Sequence, residues 1–208
     1  MIRVLIADDH AIVREGLRRI LTDEPSVELV GEAADGFEAA RMSRELKPDI
    51  VLLDLSMPGR GGIDALSDIR QGSPKSKILI LSMHPEDQYA IRCLREGADG
   101  YLTKESAPER LTEAILKIRC GGKYISAAMA EKLVYNLSSG EQALHDRLSD
   151  RELQVLTMIG DGQTVSEIAE HLCVSAKTIS TYRTRLLNKM EMDNNAQLMR
   201  YAIEHDLT

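Results

Sequence analysis

The sequence predicts an α/β domain followed by a smaller all-α domain, and two patterns along the chain lead to that expectation. In the first 120 residues, short and nearly all-apolar segments alternate with longer amphipathic ones, which is typical of parallel strands buried on both faces with helices between them. From Leu148 onward, apolar residues recur only at helical spacing. A chain of 208 residues has room for two small domains of these kinds.

Strands and helices alternate throughout the first domain. The strands are expected at residues 2–7, 27–33, 49–53, 77–82 and 99–102. The helices are expected at residues 11–22, 36–46, 62–71, 86–96 and 107–119. Since βαβ connections are right-handed almost without exception, these units should form a five-stranded parallel sheet of the flavodoxin-like kind, with helices on both faces.

Gly121 and Gly122 mark the end of the first domain, because a glycine pair stops a helix. We therefore place the first domain at 1–120, a linker with a weak helical pattern from Met129 to Leu137 at 121–147, and the second domain at 148–208. The four helices of the second domain are expected at 150–160, 165–172, 176–190 and 195–204. Ser149, Thr164 and Ser175 each precede one of the first three helices as N-cap residues.

Composition excludes several classes of protein. The longest apolar runs fall far short of the ~20 residues that cross a bilayer, so no membrane partner is expected. Three widely spaced cysteines indicate neither a disulfide framework nor a zinc site, which fits a reducing compartment, and we expect the protein in the cytoplasm. With 3% aromatic residues, the chain has few side chains on which unpaired bases could stack, so we do not expect it to bind single-stranded nucleic acid.

The net charge of −7 argues against a nucleic-acid partner only until its distribution is considered. Residues 177–189 contain Lys177, Arg183, Arg185 and Lys189 and no acidic residue. This local positive charge lies on one predicted helix of the second domain, so that helix is the candidate surface for an anionic partner.

Acidic residues follow two strands that should be neighbours in the predicted sheet. Asp8 and Asp9 come directly after the first strand, and Asp54 comes after the third. In a sheet wound about its first strand these ends meet, and three converging carboxylates are most simply stabilised by a hard cation such as Mg²⁺. Ser82 ends the fourth strand, and Lys104 follows the fifth strand. Both residues could bind a phosphoryl group at this edge.

Each of these residues also has an ordinary structural explanation. An aspartate after a strand commonly forms a turn or caps a helix, Ser82 could cap the next helix, and Lys104 could be a solvated loop charge. Together the explanations are less satisfactory, because they leave the common placement at one sheet edge to coincidence.

The first domain resembles the receiver domain of two-component response regulators. The resemblance rests on Asp8-Asp9, on Asp54 within LLDLSMPG, on Ser82, and on Tyr101 and Lys104 within GYLTK. It implies that Asp54 accepts a phosphoryl group from a sensor histidine kinase. It further implies that Asp9, Asp54 and the carbonyl group of Ser56 bind Mg²⁺ directly, and that Asp8 belongs to the metal site through a water molecule or acts on Lys104. Ser82 and Lys104 would assist the transfer.

The same resemblance implies a conformational switch in which the Ser82 hydroxyl moves toward the phosphoryl group and the Tyr101 ring turns inward. Tyr101 could also be a plain strand residue with a solvated hydroxyl. Two positions depart from the family pattern, since Glu105 stands where proline usually follows the lysine and Met83 stands where a smaller residue is common. We expect Met83 to slow the access of water to the phosphoryl group.

Residues 164–189 have the form of two helices joined by a tight turn, the second helix being capped and basic. Apolar residues at helical spacing should bury one face of each helix. They are Ile168, Leu172, Ile179, Leu186 and Leu187. The opposite face of the second helix suits the major groove of DNA, although such a cationic face can also be an ordinary solvated surface.

The second domain resembles the LuxR-type helix-turn-helix domain of NarL/FixJ-family response regulators, through LSDRELQVL and IAEHLCVSAKTISTYRTRLLNKM. By position, Ser180, Thr181 and Thr184 match the base-facing sites of that family. The phosphate-facing sites correspond to Lys177, Thr178, Arg183, Arg185 and Lys189. Ser180 and Tyr182 depart from the family, which often has lysine and histidine there.

The resemblances imply double-stranded DNA and a sensor histidine kinase as partners, with RNA polymerase as a further candidate. Since phosphate contacts scale with the number of cations, a homodimer formed on phosphorylation should bind DNA more tightly than a monomer. Leu198, Met199, Ala202 and Ile203 lie at helical spacing in the last helix, as a dimer contact or as an ordinary core stripe.

Two other functions would account for part of this sequence. Aspartyl-phosphate hydrolases of the haloacid dehalogenase type also use a nucleophilic aspartate, but they carry a second aspartate two residues on, where this chain has Ser56. We therefore expect no enzymatic activity beyond the chain's own phosphorylation and dephosphorylation. A receiver that acts only through protein contacts would need no basic helix, and the charge of residues 177–189 disfavours it.

Overall fold

The computed structural model describes residues 1–57, 62–83, 86–127, 129–131, 144–172, 174–205 and 207. The chain divides into two compact units, Met1–Ser139 and Gly140–Thr208. Each unit is described by itself. The predicted domain limits at 120 and 148 remain predictions, and the expected helical pattern beyond residue 131 lies outside the described residues.

The first unit is a doubly wound α/β fold, as the alternating pattern predicted. Its strands are β1 (Ile2–Ala7), β2 (Val27–Ala33), β3 (Ile50–Asp54), β4 (Lys77–Ser82) and β5 (Gly100–Thr103). Its helices are α1 (Ala11–Thr22), α2 (Gly36–Leu46), α3 (Gly62–Gly72), α4 (Glu86–Arg95) and α5 (Ala107–Arg119). All strands are parallel, in the order β2-β1-β3-β4-β5, so β1 and β3 are neighbours as expected.

Burial on both faces explains why the central strands are almost purely apolar. Every residue from Ile50 to Leu53 in β3 is fully buried, and so are Ile78, Leu79 and Ile80 in β4. Helices α1 and α5 cover one face of the sheet with Leu17, Leu111 and Ile115, among other residues. The polar residues that follow β1 and that end β3 and β4 therefore stand at the carboxyl edge of a sheet buried on both faces, where ligands bind in folds of this type.

After α5 the chain returns to the sheet, a feature that the sequence analysis did not foresee. Tyr124 forms a parallel bridge with Gly100 in β5, its N–H donates to the carbonyl oxygen of Asp99, and Lys123 Nζ donates to the carbonyl oxygen of Ala98 at 2.6 Å. This part of the predicted linker consequently packs as an addition to the sheet edge.

The second unit contains a short 3-10 helix, Leu144–Arg147, and four helices, among the residues described. The helices are α6 (Asp150–Gly160), α7 (Val165–His171), α8 (Ala176–Lys189) and α9 (Asn195–Glu204). The predicted caps form: Ser149 and Thr164 make capping boxes with Glu152 and Glu167, and Ser175 accepts from the N–H of Thr178. Such caps satisfy the free N–H groups of the first turn and fix where each helix begins.

The apolar stripe of α9 is divided between core and surface. Leu198 and Ala202 are fully buried, whereas Met199 is half-buried and Ile203 is 61% exposed. The core explanation therefore holds for the first pair, and the proposed dimer contact is left with the second pair.

Two further features concern the helices and the cysteines. Among the residues described, none of the helices combines the length and apolar character needed to cross a lipid bilayer. Neither Cys93 nor Cys120 forms a disulfide with another described residue, and Cys173 lies outside the described residues.

Candidate functional site

The carboxylates predicted to converge do so at the carboxyl edge of the sheet. Asp8 follows β1, Asp54 is the last residue of β3, and both are only 1% exposed. Ligand atoms of Asp8, Asp9, His10 and Asp54 all lie within 4.8 Å of one another. Adjacent parallel strands thus bring together acidic groups that are 45 residues apart in the chain.

Lys104 connects two of these carboxylates. Its Nζ lies 2.8 Å from Asp54 Oδ2 and 2.7 Å from Asp8 Oδ2, and its side chain is only 8% exposed. The backbone fixes its position, because the N–H of Lys104 donates to the carbonyl oxygen of Ser82 at 2.8 Å. The peptide bonds here, including the one to Glu105, are all trans.

The site holds more negative than positive charge. Burial raises the pKa of Asp54, and the nearby Asp8 adds to that rise, although Lys104 and the N–H of Ser56 offset part of it. For Lys104, burial alone would lower the pKa, but the charges of Asp54 and Asp8 and the hydrogen bonds to them outweigh it, so the pKa is raised. One ammonium group consequently faces a surplus of carboxylate charge.

This surplus of negative charge suits a divalent cation, and the chemistry of the ligand atoms agrees. The ligand atoms are hard carboxylate oxygens, which Mg²⁺ prefers, and they lie close enough together for one ion to contact several of them. A cation bound there would relieve the repulsion between Asp8, Asp9 and Asp54.

The remaining predicted residues of the first domain lie in or just after β3, β4 and β5. The N–H of Ser56 donates to Asp54 Oδ1 at 3.1 Å. Ser82 is fully buried and lies one residue beyond Leu81, which pairs with Asp54 across β3 and β4. Tyr101 pairs with Ile80 and is 2% exposed, so its ring already lies inside the protein in this structure.

His10 is a member of the cluster that the sequence analysis missed. Its Nδ1 lies 2.8 Å from Asp9 Oδ1, and its backbone N–H donates to Asp8 Oδ1 at 2.8 Å. Its position directly after two aspartates was the available signal. Because its ring turns toward Asp9, it does not cap α1 although it occupies the N-cap position.

The second candidate surface is one face of α8. Ile179 and Leu186 are fully buried and attach the helix to its unit. Five residues of the opposite face are exposed, namely Lys177, Ser180, Thr181, Thr184 and Arg185. Leu172 and Leu187, expected in the core, are only half-buried.

Three predicted phosphate-facing residues have partners within the second unit. Lys189 Nζ lies 2.7 Å from Glu152 Oε2, Arg183 Nε donates to Asn195 Oδ1, and the hydroxyl groups of Thr178 and Ser175 lie 2.8 Å apart. Lys177 and Arg185 line a cavity of about 370 Å³ on the exposed side of α8, together with Ser175, Thr178, Thr181 and Tyr182. Lys177 and Arg185 are therefore the best-placed cations for an anionic partner.

Comparison with known protein families gives two matches. The model described as "Response regulator receiver domain" matches residues 4–116. The model described as "Bacterial regulatory proteins, luxR family" matches residues 146–202. The two matches cover the acidic site and the basic helix respectively.

Individual relatives match along the whole chain. The response regulator UvrY of Escherichia coli strain K12 is 39% identical, over 100% of this chain and 96% of its own length. The response regulator GacA of Pseudomonas aeruginosa is 36% identical, over 100% and 98%. Among solved structures, RcsB from Salmonella enterica serovar Typhimurium, bound to a promoter in the presence of phosphomimetic BeF3−, is 30% identical with a TM-score of 0.61, over 96% of this chain and 97% of that one.

Proposed function

Because this chain belongs to the two-component response regulators that join a receiver domain to a LuxR-type DNA-binding domain, we propose that phosphorylation of Asp54 controls its binding to DNA. Regulation of transcription is the function of the family. The assignment of residues to the steps of that function is our proposal. The observation that carries it is the contact of Asp54 Oδ2 with Lys104 Nζ, at 2.8 Å, beside two further aspartates.

Asp54 is the nucleophile. One of its carboxylate oxygens forms a bond to phosphorus while the bond from phosphorus to the phosphohistidine nitrogen of a sensor kinase breaks, and that nitrogen leaves with the electron pair. Lys104 contacts the same carboxylate in the resting site and supplies a fixed positive charge near the transferred oxygens. Asp8, Asp9, Asp54 and the carbonyl group of Ser56 would hold Mg²⁺, which supplies further neutralisation of phosphoryl charge.

Ser82 and Tyr101 form the switch. The hydroxyl of Ser82 moves to donate to a phosphoryl oxygen, and the Tyr101 ring fills the space that it vacates, the ring being already buried in this structure. Burial of both residues supports this arrangement, since neither side chain has to cross water to respond to the phosphoryl group. A ligand can shift such an equilibrium only by binding one conformation better, which the Ser82 hydrogen bond would provide.

The output is a homodimer on double-stranded DNA. Helix α8 enters the major groove with its exposed face, where Lys177 and Arg185 provide phosphate contacts and Ser180, Thr181 and Thr184 lie between them. Thr178, Arg183 and Lys189 contact phosphates at the edge of this face, for which Lys189 would have to exchange its bond to Glu152. A dimer brings two such faces to one site, and the gain in phosphate contacts favours it over the monomer.

The proposal extends to partners and place. A sensor histidine kinase supplies the phosphoryl group, and RNA polymerase is a candidate contact at promoters. We infer the cytoplasm as the compartment, because the proposed DNA target lies there. No turnover of external phosphate esters is expected. The position two residues after Asp54 is Ser56, which offers Asp54 a backbone N–H where a hydrolase would need a carboxylic acid.

The decisive experiment measures DNA retention and molecular mass together. Wild-type chain treated with beryllofluoride or acetyl phosphate should retain promoter DNA and double its mass in light scattering, whereas Asp54→Asn should do neither. Asp64→Asn, at an exposed position in α3, is the matched control and should behave as wild type. Identical behaviour of wild type and Asp54→Asn would overturn the proposed control.

A further inference from the structure

Three hydroxyl groups on the exposed face of α8 are turned toward the helix itself. Ser180 Oγ donates to the carbonyl oxygen of Ala176 at 2.9 Å, Thr181 Oγ1 donates to that of Lys177 at 3.0 Å, and Thr184 Oγ1 donates to that of Ser180 at 3.0 Å. In each case the acceptor is the carbonyl group four residues earlier. The hydrogen of each hydroxyl is thereby engaged within the helix.

This engagement changes what the side chains offer to a ligand. A hydroxyl group has one donor hydrogen and two acceptor lone pairs. Because the hydroxyl hydrogen is bonded to the helix, Thr181 and Thr184 can present to a ligand only an acceptor oxygen and the Cγ2 methyl group. Both residues are exposed, so these groups are accessible to a ligand.

The two threonines also occupy the middle of the basic face. Lys177 lies four residues before Thr181, and Arg185 lies four residues after it. Residues four apart share a helix face, so a cation lies on each side of the threonines. Long cationic side chains at the ends suit phosphates at the rims of a groove, and short side chains between them suit base edges. This placement rests on the DNA-binding function proposed above.

The major groove has few groups that match an acceptor beside a methyl. Thymine presents its C5-methyl group and the acceptor O4, adenine presents the N6 amino donor and the acceptor N7, cytosine presents the N4 amino donor but no methyl group, and guanine presents only the acceptors O6 and N7. An oxygen that only accepts cannot bind O6 or N7 of guanine, whereas a methyl group packs well against the methyl of thymine. A T·A pair matches both groups, since the thymine methyl contacts the threonine methyl and the adenine N6 amino group can donate to the hydroxyl oxygen.

We propose that Thr181 and Thr184 are specificity-determining residues that recognise thymine through contact of their Cγ2 methyl groups with the C5-methyl group of the base. The central base pairs of each half-site are then T·A pairs.

The test removes single methyl groups from both partners. Phosphorylated full-length chain is used to enrich duplexes from a random library, and in an enriched duplex each thymine is replaced singly by deoxyuridine, which lacks only the C5-methyl group. We expect about fourfold weaker binding at each contacted thymine, the loss for one buried methyl. Thr181→Ser or Thr184→Ser should abolish the preference at one position each, while Thr→Val at either site, which retains the methyl, should preserve it.

Thr22→Ser is the matched control, since Thr22 is an exposed threonine that donates to the carbonyl oxygen of Arg18 in the same manner at 2.8 Å but lies in the first unit. It should leave every thymine preference unchanged. If the wild type binds the thymine and deoxyuridine duplexes equally, or if Thr→Ser leaves the preference intact, the inference is wrong while DNA binding stands. Failure of the phosphorylated chain to enrich any duplex would overturn the proposed function as well.

Discussion

The backbone N–H of Tyr101 donates to the carbonyl oxygen of Tyr124 at 2.9 Å, which joins the proposed switch residue directly to the segment that follows α5. Lys123 strengthens the attachment, since its Nζ reaches Asp99 Oδ1 at 3.4 Å as well as the carbonyl oxygen of Ala98. A rearrangement of β5 on phosphorylation must therefore either break these bonds or move the segment with the strand. The start of the predicted linker is thus a mechanical continuation of the switch.

Gly100 is the position where this attachment can be tested. A Cβ atom there would lie 2.8 Å from the carbonyl oxygen of Tyr124 and 2.9 Å from Ile118 Cδ1, so Gly100→Ala should displace the segment and lower the free energy of unfolding by about 1–3 kcal/mol. Urea denaturation measures the stability, and hydrogen exchange at the Tyr101 amide reports on the lost bond.

Gly16→Ala is the control for that change. Gly16 lies within α1, and its Cβ would meet nothing within 4 Å, so the substitution should raise the free energy of unfolding by about 0.5–1 kcal/mol. Unchanged exchange protection of the Tyr101 amide in Gly100→Ala would contradict the attachment described here.

Asp54→Asn should stabilise the metal-free protein at neutral pH. Burial raises the pKa of Asp54 in the folded state, so the folded protein binds its proton more tightly than the unfolded chain does, and stability falls as the pH rises through the folded value. The amide removes that loss. The gain should shrink as the pH falls toward 3.8, the ordinary value of an aspartate, because a protonated Asp54 is also neutral.

Thermal unfolding at several pH values, with and without Mg²⁺, measures this effect. Mg²⁺ should stabilise the wild type through binding to the folded state and should stabilise Asp54→Asn much less. Asp64→Asn, on the exposed surface, should change stability by less than about 0.5 kcal/mol at every pH. If Asp54→Asn is less stable than the wild type at neutral pH, Lys104 neutralises the charge of the site more fully than we conclude.

Most of the fold was accessible from the sequence because burial leaves a periodic trace. The strand expected at 49–53 runs from Ile50 to Asp54, one residue later, so Asp54 is part of β3 and pairs with Leu81. Its placement beside Asp8 followed from the expectation of a right-handed parallel sheet wound about its first strand, in which the first and third strands are neighbours.

Contacts between distant polar groups leave no such trace. Nothing in the spacing of Lys189 and Glu152, 37 residues apart, distinguishes a phosphate-binding cation from one held inside its own domain. Similarly, periodicity gives the face on which Thr181 lies but not the direction of its hydroxyl hydrogen. Such details depend on the packing of one helix against another, which a single sequence specifies only through the complete fold.

Lys189 should prove important for stability. Glu152 is 2% exposed, and although burial raises its pKa, hydrogen bonds from Lys189 and Ser149 outweigh that effect and lower it. Lys189→Met would leave a buried carboxylate short of a partner and should destabilise the second unit by about 1–3 kcal/mol at neutral pH. A group with a depressed pKa stabilises above its unfolded value, so the difference from wild type should diminish below pH 4.5, the ordinary value of a glutamate.

Urea denaturation of Lys189→Met at neutral and acid pH measures this loss. Lys177→Met serves as the comparison, because Lys177 is exposed at the start of α8 and its removal should leave stability within about 0.5 kcal/mol of wild type. Equal stabilities of the two variants would show that the contact of Lys189 with Glu152 contributes nothing to folding.

Lys177 should instead control how DNA binding responds to salt. Each phosphate neutralised by a cation releases counterions, so the logarithm of the binding constant falls with the logarithm of salt concentration by about 0.9 per contact. Lys177→Ala should therefore reduce that slope by roughly 1 per protomer and weaken binding to all sequences alike, whereas Thr181→Ser should leave the slope unchanged. Fluorescence anisotropy of a labelled duplex over a salt series measures both quantities. A slope that Lys177→Ala leaves unaltered would place Lys177 outside the phosphate contacts and would shift the electrostatic part of the interface to Arg185 and its neighbours.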